Sequence, residues 1–192
     1  ERVKEKLAEL GVQSRIGNAQ ELRQYMEENP EGIVVMCQDI APSTIFRGEE
    51  NSFVERWLMG GGRMIWTGDY EFWFYSIGKE DQPYVVDKWG SMSVFNVRSE
   101  LTPLVYDYVS FPMTPTRLGV RYSPRIKSFL SRRPAFISVL KEEGLPCEIY
   151  AADAEHADPV MFRPKGGRGC FVKFLMTDID KVDIEKRARL IA

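Results

Sequence analysis

The amino-acid sequence predicts an α/β fold, a three-layer sandwich in which helices cover both faces of a mainly parallel sheet. Two short apolar runs, residues 32–37 and 63–66, have the composition of strands buried on both faces. A helix predicted over residues 51–59 lies between them and ends at Gly60-Gly61-Gly62. Two strands joined by a helix and short turns favour a right-handed parallel crossover, and this pattern predicts the fold class.

The other elements are predicted from the same kind of periodicity. Two helices precede the first apolar run, at residues 1–10 and 19–28, and Asn18 is the expected cap of the second. A short strand is predicted between them, at residues 12–16. Near the end of the chain, three strands are predicted at residues 147–151, 160–163 and 170–176. Residues 164–169 are predicted to form a hairpin-like turn between the second and third of these strands, and residues 178–192 a last helix.

The middle of the chain has weak periodicity. Residues 76–130 are rich in Pro, Ser and Thr, and the candidate strands there are 91–97 and 104–110. Residues 125–131 or 136–143 are candidate short helices. We predict one domain over residues 1–192 with an irregular insertion at about 76–130. Because the chain begins at Glu1 inside a helical pattern, we also expect a fragment of a longer protein.

The composition argues against some classes of function. The 192 residues carry a formal net charge of -2 and no long basic run, so nucleic-acid binding is not expected. No apolar stretch approaches the roughly 20 residues that cross a bilayer, and no signal-peptide pattern is present, so no membrane partner is expected. The three cysteines lack CxxC spacing, which predicts reduced thiols and a cytoplasmic location.

Two segments resemble the class I glutamine amidotransferase-like superfamily. The first contains the strand at 33–36, the helical residues 53–58, Gly61-Gly62, and the strand and turn at 64–69. The second is the glycine turn and hydrophobic strand at 166–172. The resemblance implies a flavodoxin-like or amidotransferase-like sheet whose strands are mainly parallel.

The catalytic residues of that superfamily are missing. Its active members place a cysteine in a Gly-x-Cys-x-Gly elbow after a strand and carry a His-x-Glu pair late in the chain. The equivalent turn here is Thr67-Gly68-Asp69-Tyr70-Glu71, and the only histidine, His156, is followed by Ala157-Asp158. Glutamine hydrolysis would lack both its nucleophile and the base that activates it, so we do not expect amidotransferase activity.

Two loops at the carboxyl ends of the predicted strands form the candidate site. Ligands of open α/β sheets bind where such strand ends diverge. Six residues of these loops are candidate ligand-binding residues: Gln38, Asp39, Thr67, Gly68, Asp69 and Tyr70. Asp39 and Asp69 are placed to face one crevice, where paired carboxylates share a proton, bind a divalent cation or hold a polar ligand. The alternative is that each carboxylate caps the turn or helix that follows it.

Structural explanations are favoured for the other features of the sequence. The aromatic residues 70–75 are expected in the core or at an interface, with stacking on a sugar or a base as the alternative. Cys37 is expected to be buried and inert. His156 is expected in a solvated acidic loop, the alternative being a metal site with nearby carboxylates: Asp153, Glu155 or Asp158.

These observations predict a non-catalytic domain that binds a small polar ligand or a protein partner, without a cofactor, a metal or a catalytic residue. The alternative is a carboxylate- or metal-dependent hydrolase that uses Asp39 and Asp69. It requires the Asp39 carboxylate to lie within about 5 Å of that of Asp69 or Glu71. A homodimer is a further expectation, formed through the Trp57 helix or the aromatic residues 70–75.

Overall fold

The computed structural model describes residues 2–78, 84–104, 109–124, 126–174, 188, 191 and 192. The helices of this part of the chain are α1 (Arg2–Glu9), α2 (Ala19–Glu28), α3 (Phe53–Gly60), α4 (Gly90–Phe95), α5 (Arg117–Tyr122) and α6 (Ile137–Glu142). Its strands are β1 (Ile33–Met36), β2 (Ile40–Ala41), β3 (Arg63–Trp66), β4 (Phe74–Ser76), β5 (Tyr84–Val86), β6 (Phe111–Pro115), β7 (Phe129–Ser131), β8 (Ala135–Phe136), β9 (Cys147–Ile149), β10 (Ala151–Ala152), β11 (His156–Ala157), β12 (Val160–Phe162) and β13 (Cys170–Lys173). Within the described residues, no helix combines the length and the apolar character needed to cross a membrane.

The first three helices lie where the sequence predicts them, and two have complete amino-terminal caps. The Asn18 side chain accepts hydrogen bonds from the backbone N–H groups of Gln20 and Glu21. The Glu21 carboxylate in turn accepts the N–H of Asn18. Ser52 and Glu55 form the same reciprocal pair at the start of α3. Because such caps are local in sequence, these helices are predictable from short segments.

Several local predictions need correction. Residues 12–16 form no strand, and residues 91–97, predicted as a strand, form most of α4. Ser91, Val94 and Phe95 are buried in that helix, an i, i+3, i+4 spacing. The candidate helix at 125–131 is wrong because β7 lies there, whereas the candidate at 136–143 is confirmed by α6. Most of the predicted helix at 178–192, and the centre of the candidate strand at 104–110, lie outside the described residues.

The predicted single sheet, flavodoxin-like and mainly parallel, is wrong. The described strands form three small sheets, and the first has the order β1-β3-β13-β12-β9. β1, β3 and β13 are parallel, whereas β12 pairs antiparallel with both β13 and β9. The turn at 164–169 between β12 and β13 explains part of the difference, since a tight hairpin joins antiparallel strands.

The other two sheets are built mainly from the middle of the chain. The second is antiparallel throughout, in the order β7-β6-β10-β11-β8. In the third, of order β2-β4-β5, β2 is parallel to β4 and β4 is antiparallel to β5. The architecture is therefore mixed α/β, with parallel pairing confined to a few strands, and not a sandwich around one parallel sheet.

One face of the first sheet carries the core. The register places Met64 beside Phe171 and Trp66 beside Lys173, and none of these four residues is more than 1% exposed. The opposite face is less covered, since Ile33 at the edge is 54% exposed. The prediction that these strands are buried on both faces is therefore wrong for β1.

Aromatic rings join the buried face of this sheet to α4 and to the turn after β3. The ring of Phe171 lies 6.4 Å from that of Trp66 and 6.1 Å from that of Phe72, measured between centroids. Its distances to Phe95 and Phe162 are 4.6 and 5.5 Å. Edge-to-face and tilted contacts at these distances are favourable. The cluster therefore fixes residues 70–73 and α4 against the sheet, next to the candidate site.

Candidate functional site

The loops that follow β1 and β3 lie against each other. Thr67 donates to the carbonyl of Met36 from its backbone N–H at 2.9 Å and from its hydroxyl at 3.1 Å. A Cβ atom on Gly68 would overlap the backbone carbonyl of Gln38, so a side chain at this position would force the loops apart. The structure thus brings together the two loops that contain the six predicted site residues.

Asp39 and Asp69 accept hydrogen bonds from within the protein. Asp39 Oδ1 accepts the backbone N–H of Asp69 at 2.6 Å. Asp69 Oδ1 accepts the Nε–H of Arg133 at 2.6 Å and the N–H of Tyr70 at 2.9 Å. The side chain of Arg133 is 3% exposed, and its guanidinium carbon lies 4.4 Å from the centre of the Tyr70 ring. This arrangement is closer to the capping alternative than to two carboxylates that share a ligand.

Gln38 and Tyr70 also have partners inside the protein. Gln38 Nε2 donates to the carbonyl of Ile40 at 2.7 Å, and the Tyr70 hydroxyl donates to the carbonyl of Pro103 at 3.1 Å. Of the six predicted residues, Tyr70 also lines the cleft described next. Ligand binding by the six as a group stays a prediction.

A narrow cleft opens beyond the carboxyl end of β3. It is lined by Tyr70, Glu71, Trp73, Lys88, Ser91, Glu100 and Thr102. These residues come from three segments: the turn after β3, the start of α4 and the chain that follows α4. The space between these side chains is too small to hold a water molecule, so a ligand can enter only if the lining side chains move.

A buried ion pair lies at this cleft. The Lys173 ammonium donates to the carboxylate of Glu71, and the hydroxyl of Thr102 donates to the same carboxylate at 2.9 Å. The side chains of Glu71 and Lys173 are 2% and 1% exposed. Charges removed from water to this extent require close partners. The pairing therefore explains how a lysine occupies an otherwise apolar strand.

Glu100 is the lining residue with the most unusual environment. Its Oε2 accepts the hydroxyl of Ser91 at 3.0 Å, while Oε1 is buried and has no hydrogen-bond partner in the part of the chain that the structure describes. Burial raises the pKa of Glu100 to about 7 against the opposing hydrogen bond from Ser91. The charges of Glu71 and Asp87 raise this pKa further, and that of Lys173 lowers it. The carboxyl group is thus close to half ionised at neutral pH.

Trp73 contributes a donor to the same cleft. Its indole Nε1 is buried without a hydrogen-bond partner among the described residues. Its ring meets that of Tyr70 at an angle of 61°, with the centroids 4.1 Å apart. Buried N–H groups without a partner are rare in folded proteins and require an explanation. Two residues that line the cleft, Trp73 and Glu100, therefore carry an unpaired donor and an unpaired acceptor.

No family model, curated protein or solved structure matches this chain. The resemblance to amidotransferase-like domains stays a prediction that rests on the residues quoted for it. Any function must therefore follow from the chemistry of the side chains themselves.

A second polar cluster surrounds His156 in the second sheet. The imidazole lies between the rings of Phe111 and Phe136, at 4.3 and 5.2 Å, and its Nδ1 is 3.1 Å from Asp153 Oδ1. Because the His156 side chain is only 8% exposed, the predicted solvated loop is wrong. Burial favours the neutral form of Asp153, but hydrogen bonds from the N–H groups of Glu155 and His156 outweigh it and lower the pKa of Asp153.

Other reactive groups do not assemble into a site. The hydroxyl of Ser131 donates to Asp158 rather than to a histidine. Across the described residues, no group of three His, Cys, Asp or Glu side chains is arranged to hold a metal ion. Cys37 is exposed, so its predicted burial is wrong. Partial desolvation raises the pKa of the Cys147 and Cys170 thiols, which disfavours the reactive thiolate, although Cys147 itself is exposed.

Sequence reasoning missed most of the cleft. Ser91, Glu100 and Thr102 lie in the segment of weak periodicity, where no element could be placed with their side chains on a known face. Lys173 did carry a signal, because a single lysine between Val172 and Phe174 in a hydrophobic strand implies a buried charge that needs a partner.

Proposed function

We propose that this chain is a binding domain whose cleft takes up a small polar molecule. The observation that supports this function best is the pair of unpaired polar atoms, Trp73 Nε1 and Glu100 Oε1, on two residues that line one cleft. A buried polar atom without a partner costs about 1–3 kcal/mol. A ligand that offers an acceptor to the indole and a donor to the carboxylate would remove both costs.

The position of the cleft supports the same function. Ligands of sheets with parallel strands bind beyond the carboxyl ends of those strands. The cleft lies beyond the end of β3, and Lys173, the last residue of the parallel neighbour β13, pairs with one of its lining residues. The proposed site is thus adjacent to the Asp39–Asp69 loops and not between them.

The hydrolase alternative has less support. Asp39 and Asp69 each accept hydrogen bonds from within the protein, at 2.6 Å, and Asp69 pairs with the buried Arg133. The described residues also offer no three-ligand metal group around them. Each carboxylate therefore already accepts an internal hydrogen bond, and that of Asp69 is also neutralised by a buried cation.

The expected setting of the protein belongs to the same proposal. Cys37, Cys147 and Cys170 are all free thiols, which supports a reducing compartment such as the cytoplasm. The low net charge of -2 supports the expectation that no nucleic acid is bound. The homodimer stays a prediction.

A thermal-shift screen tests the binding function. The purified protein is screened against divalent metals, nucleotides, sugars, amino acids and amines, together with Trp73→Phe, Glu100→Gln and Asp69→Asn. The exposed Glu142→Gln is the control for loss of a carboxylate. We expect a ligand that raises the Tm of the parent and of Glu142→Gln but not of Trp73→Phe or Glu100→Gln.

Two outcomes would contradict this assignment. If Asp69→Asn is the only variant that loses the ligand-induced rise in Tm, the ligand binds at the loops predicted from the sequence and not in the cleft. The absence of any shift that depends on Trp73 or Glu100 would reject the cleft as a binding site.

A further inference from the structure

The net charge of -2 is distributed unevenly along the chain. Between Asp107 and Glu142 the sequence contains seven lysines and arginines and no acidic residue. The rest of the chain is correspondingly acidic. A local excess of one sign produces a field on that part of the surface even when the protein as a whole is nearly neutral.

Helix α5 presents part of this basic excess to solvent. Arg117, Val120 and Arg121 are exposed, and their i, i+3, i+4 spacing places them on one face of the helix. The opposite side of α5 is fixed to the fold, because Gly119 lies so close to Tyr150 that a Cβ atom would overlap the Tyr150 carbonyl oxygen. The two arginines are therefore held on an outward-facing surface.

Two further exposed residues extend this surface. Tyr122, the last residue of α5, is 65% exposed, and Lys127 is exposed after a turn closed by the hydrogen bond from the N–H of Ile126 to the carbonyl of Ser123. Because β6 and β7 pair antiparallel, the residues just before β7 lie at the same end of the second sheet as the start of α5. Together these exposed residues form the α5 surface: Arg117, Val120, Arg121, Tyr122 and Lys127.

The cations of the α5 surface have no internal counterion. Among the described residues, Arg117, Arg121 and Lys127 form no ion pair. Glu148, on the strand β9 that contacts α5, instead accepts the hydroxyl of Tyr150 at 3.0 Å. An exposed charge without a counterion is hydrated, and it is available to an anion from outside the chain.

The mixture of side chains favours a protein partner over a nucleic acid or a membrane. Arginine and tyrosine are enriched at protein interfaces. Val120 is 48% exposed between the two arginines, and an apolar side chain can pack on it where a phosphate backbone cannot. The three cations are also fewer than the roughly four to eight basic residues of clusters that bind anionic lipids.

A second copy of the chain is disfavoured by the same charges. A two-fold interface brings identical surfaces together, so the arginines of one α5 surface would face those of the other. Like charges in contact oppose association. The partner must therefore carry the opposite charge.

We propose that the α5 surface docks an acidic segment of another protein. Carboxylates of this segment pair with Arg117, Arg121 and Lys127, and an apolar side chain between them packs on Val120 and Tyr122. The planar guanidinium of arginine donates two parallel hydrogen bonds to one carboxylate, which gives the contact direction as well as charge. None of these residues lines the cleft, so the inference does not depend on the small-molecule function proposed above.

Fluorescence anisotropy with three labelled peptides of about twelve residues tests the proposal. The first combines glutamates and aspartates with one central leucine and one phenylalanine. In the second, amides replace all the carboxylates, and in the third, serines replace the two apolar residues. We expect the first peptide to bind most tightly, the third more weakly and the second not measurably, with an affinity that falls as salt is raised.

Two variants and a matched control assign the binding to α5. Arg117→Gln/Arg121→Gln should weaken the first peptide at least about tenfold and reduce its dependence on salt. Tyr122→Ser should weaken the first peptide about threefold or more and leave the third unchanged. Arg2→Gln/Lys4→Gln removes the same charge from exposed positions of α1 and should leave every affinity unchanged. Circular dichroism establishes that each variant is folded.

Several results would overturn the proposal. A first peptide that binds no better than the second would show that the surface has no acidic partner, and an equal loss in the α1 control would show that binding follows net charge alone. A single-stranded oligonucleotide, or vesicles that contain phosphatidylserine, could bind more tightly than the first peptide and depend on Arg117 and Arg121. The partner would then be a nucleic acid or a membrane. A dimer that Arg117→Gln/Arg121→Gln converts to a monomer, measured by analytical ultracentrifugation, would show that a second copy occupies the surface.

Discussion

Lys173 shows how one charged residue is accommodated within the core. Its ammonium is paired with Glu71, and the two side chains are 1% and 2% exposed. Glu71 also accepts the hydroxyl of Thr102, so its carboxylate is held from two directions. Such a pair adds little net stability compared with an apolar one, but the loss of a single partner is costly.

We therefore predict that Lys173→Met lowers the free energy of unfolding by about 3–5 kcal/mol, because it leaves the Glu71 carboxylate buried without its cation. Urea denaturation followed by circular dichroism measures the change. The double variant Glu71→Gln/Lys173→Met keeps an acceptor for Thr102 and should recover most of the loss. A Lys173→Met variant as stable as the parent would show that the ion pair is not formed.

Asp153 provides a test of the hydrogen bonds around His156. The folded structure lowers the pKa of this carboxyl, so its contribution to stability is fully present above the pKa of the unfolded chain and is lost as pH falls through the lower, folded value. Because solvent reaches 23% of the side chain, we expect Asp153→Asn to cost only about 1 kcal/mol at pH 7.

This difference between Asp153→Asn and the parent should begin to shrink as pH falls below about 4, where the unfolded chain takes up the proton. It should disappear only below the lowered pKa of the folded state, where the carboxyl is protonated in both states. Thermal unfolding at pH 7 and at pH 3 measures the effect. If the charge of Asp153 made no contribution, the difference in thermal stability between Asp153→Asn and the parent would be the same at both pH values.

At the scale of elements, the position of α4 depends on the ring of Phe95, which contacts Phe72 in the turn after β3. Phe95 is fully buried and contacts the rings of Phe72, Phe162 and Phe171 at 5.9, 5.0 and 4.6 Å. The helix itself has only the six residues Gly90–Phe95, too few to be stable alone. Its position is therefore set by packing of this ring and not by helix propensity.

We predict that Phe95→Ala destabilises the protein by about 3–5 kcal/mol, because it removes a buried ring and leaves a cavity against the first sheet. The midpoint of chemical denaturation reports the change. Leu104→Ala is the control, since Leu104 is 58% exposed and should cost less than about 0.5 kcal/mol. A Phe95→Ala cost near that of the control would place Phe95 outside the core.

The elements also show which parts of the fold a single sequence can predict. The capping residues Asn18 and Ser52 lie within three positions of the groups they bind, so α2 and α3 were predictable. α4 was predicted as a strand because the serines in Gly90–Phe95 alternate with apolar residues over so short a span. The rings that pack against α4, those of Phe162 and Phe171, lie far along the chain, and this packing decides the conformation of the segment.

At the scale of the whole molecule, the limit of prediction is strand pairing. The parallel pair β1 and β3 followed from a strand–helix–strand pattern in one segment. The pairing of β13 with β3 joins residues about a hundred positions apart, and for this contact the sequence offers no local signal. The cleft has the same origin, since it combines Tyr70 with Glu100 and borders Lys173.

We predict that the first sheet does not form without β13. A chain cut after Gly169 keeps β1, β3, β9 and β12 but lacks the strand that joins the two halves. It should show no cooperative thermal transition by circular dichroism, and a synthetic peptide of residues 170–192 should restore one in part. A truncated chain that unfolds with the sharp transition of the parent would show that β13 is dispensable.

The central position of β13 has a consequence for how the protein is made. A ribosome delivers Trp66, Phe72 and Phe95 well before it delivers Phe171, the ring against which all three pack. The growing chain therefore exposes an apolar surface from the synthesis of these three residues until β13 emerges. Slower translation prolongs this interval, so the yield of folded protein should depend on chaperones that bind nascent hydrophobic segments.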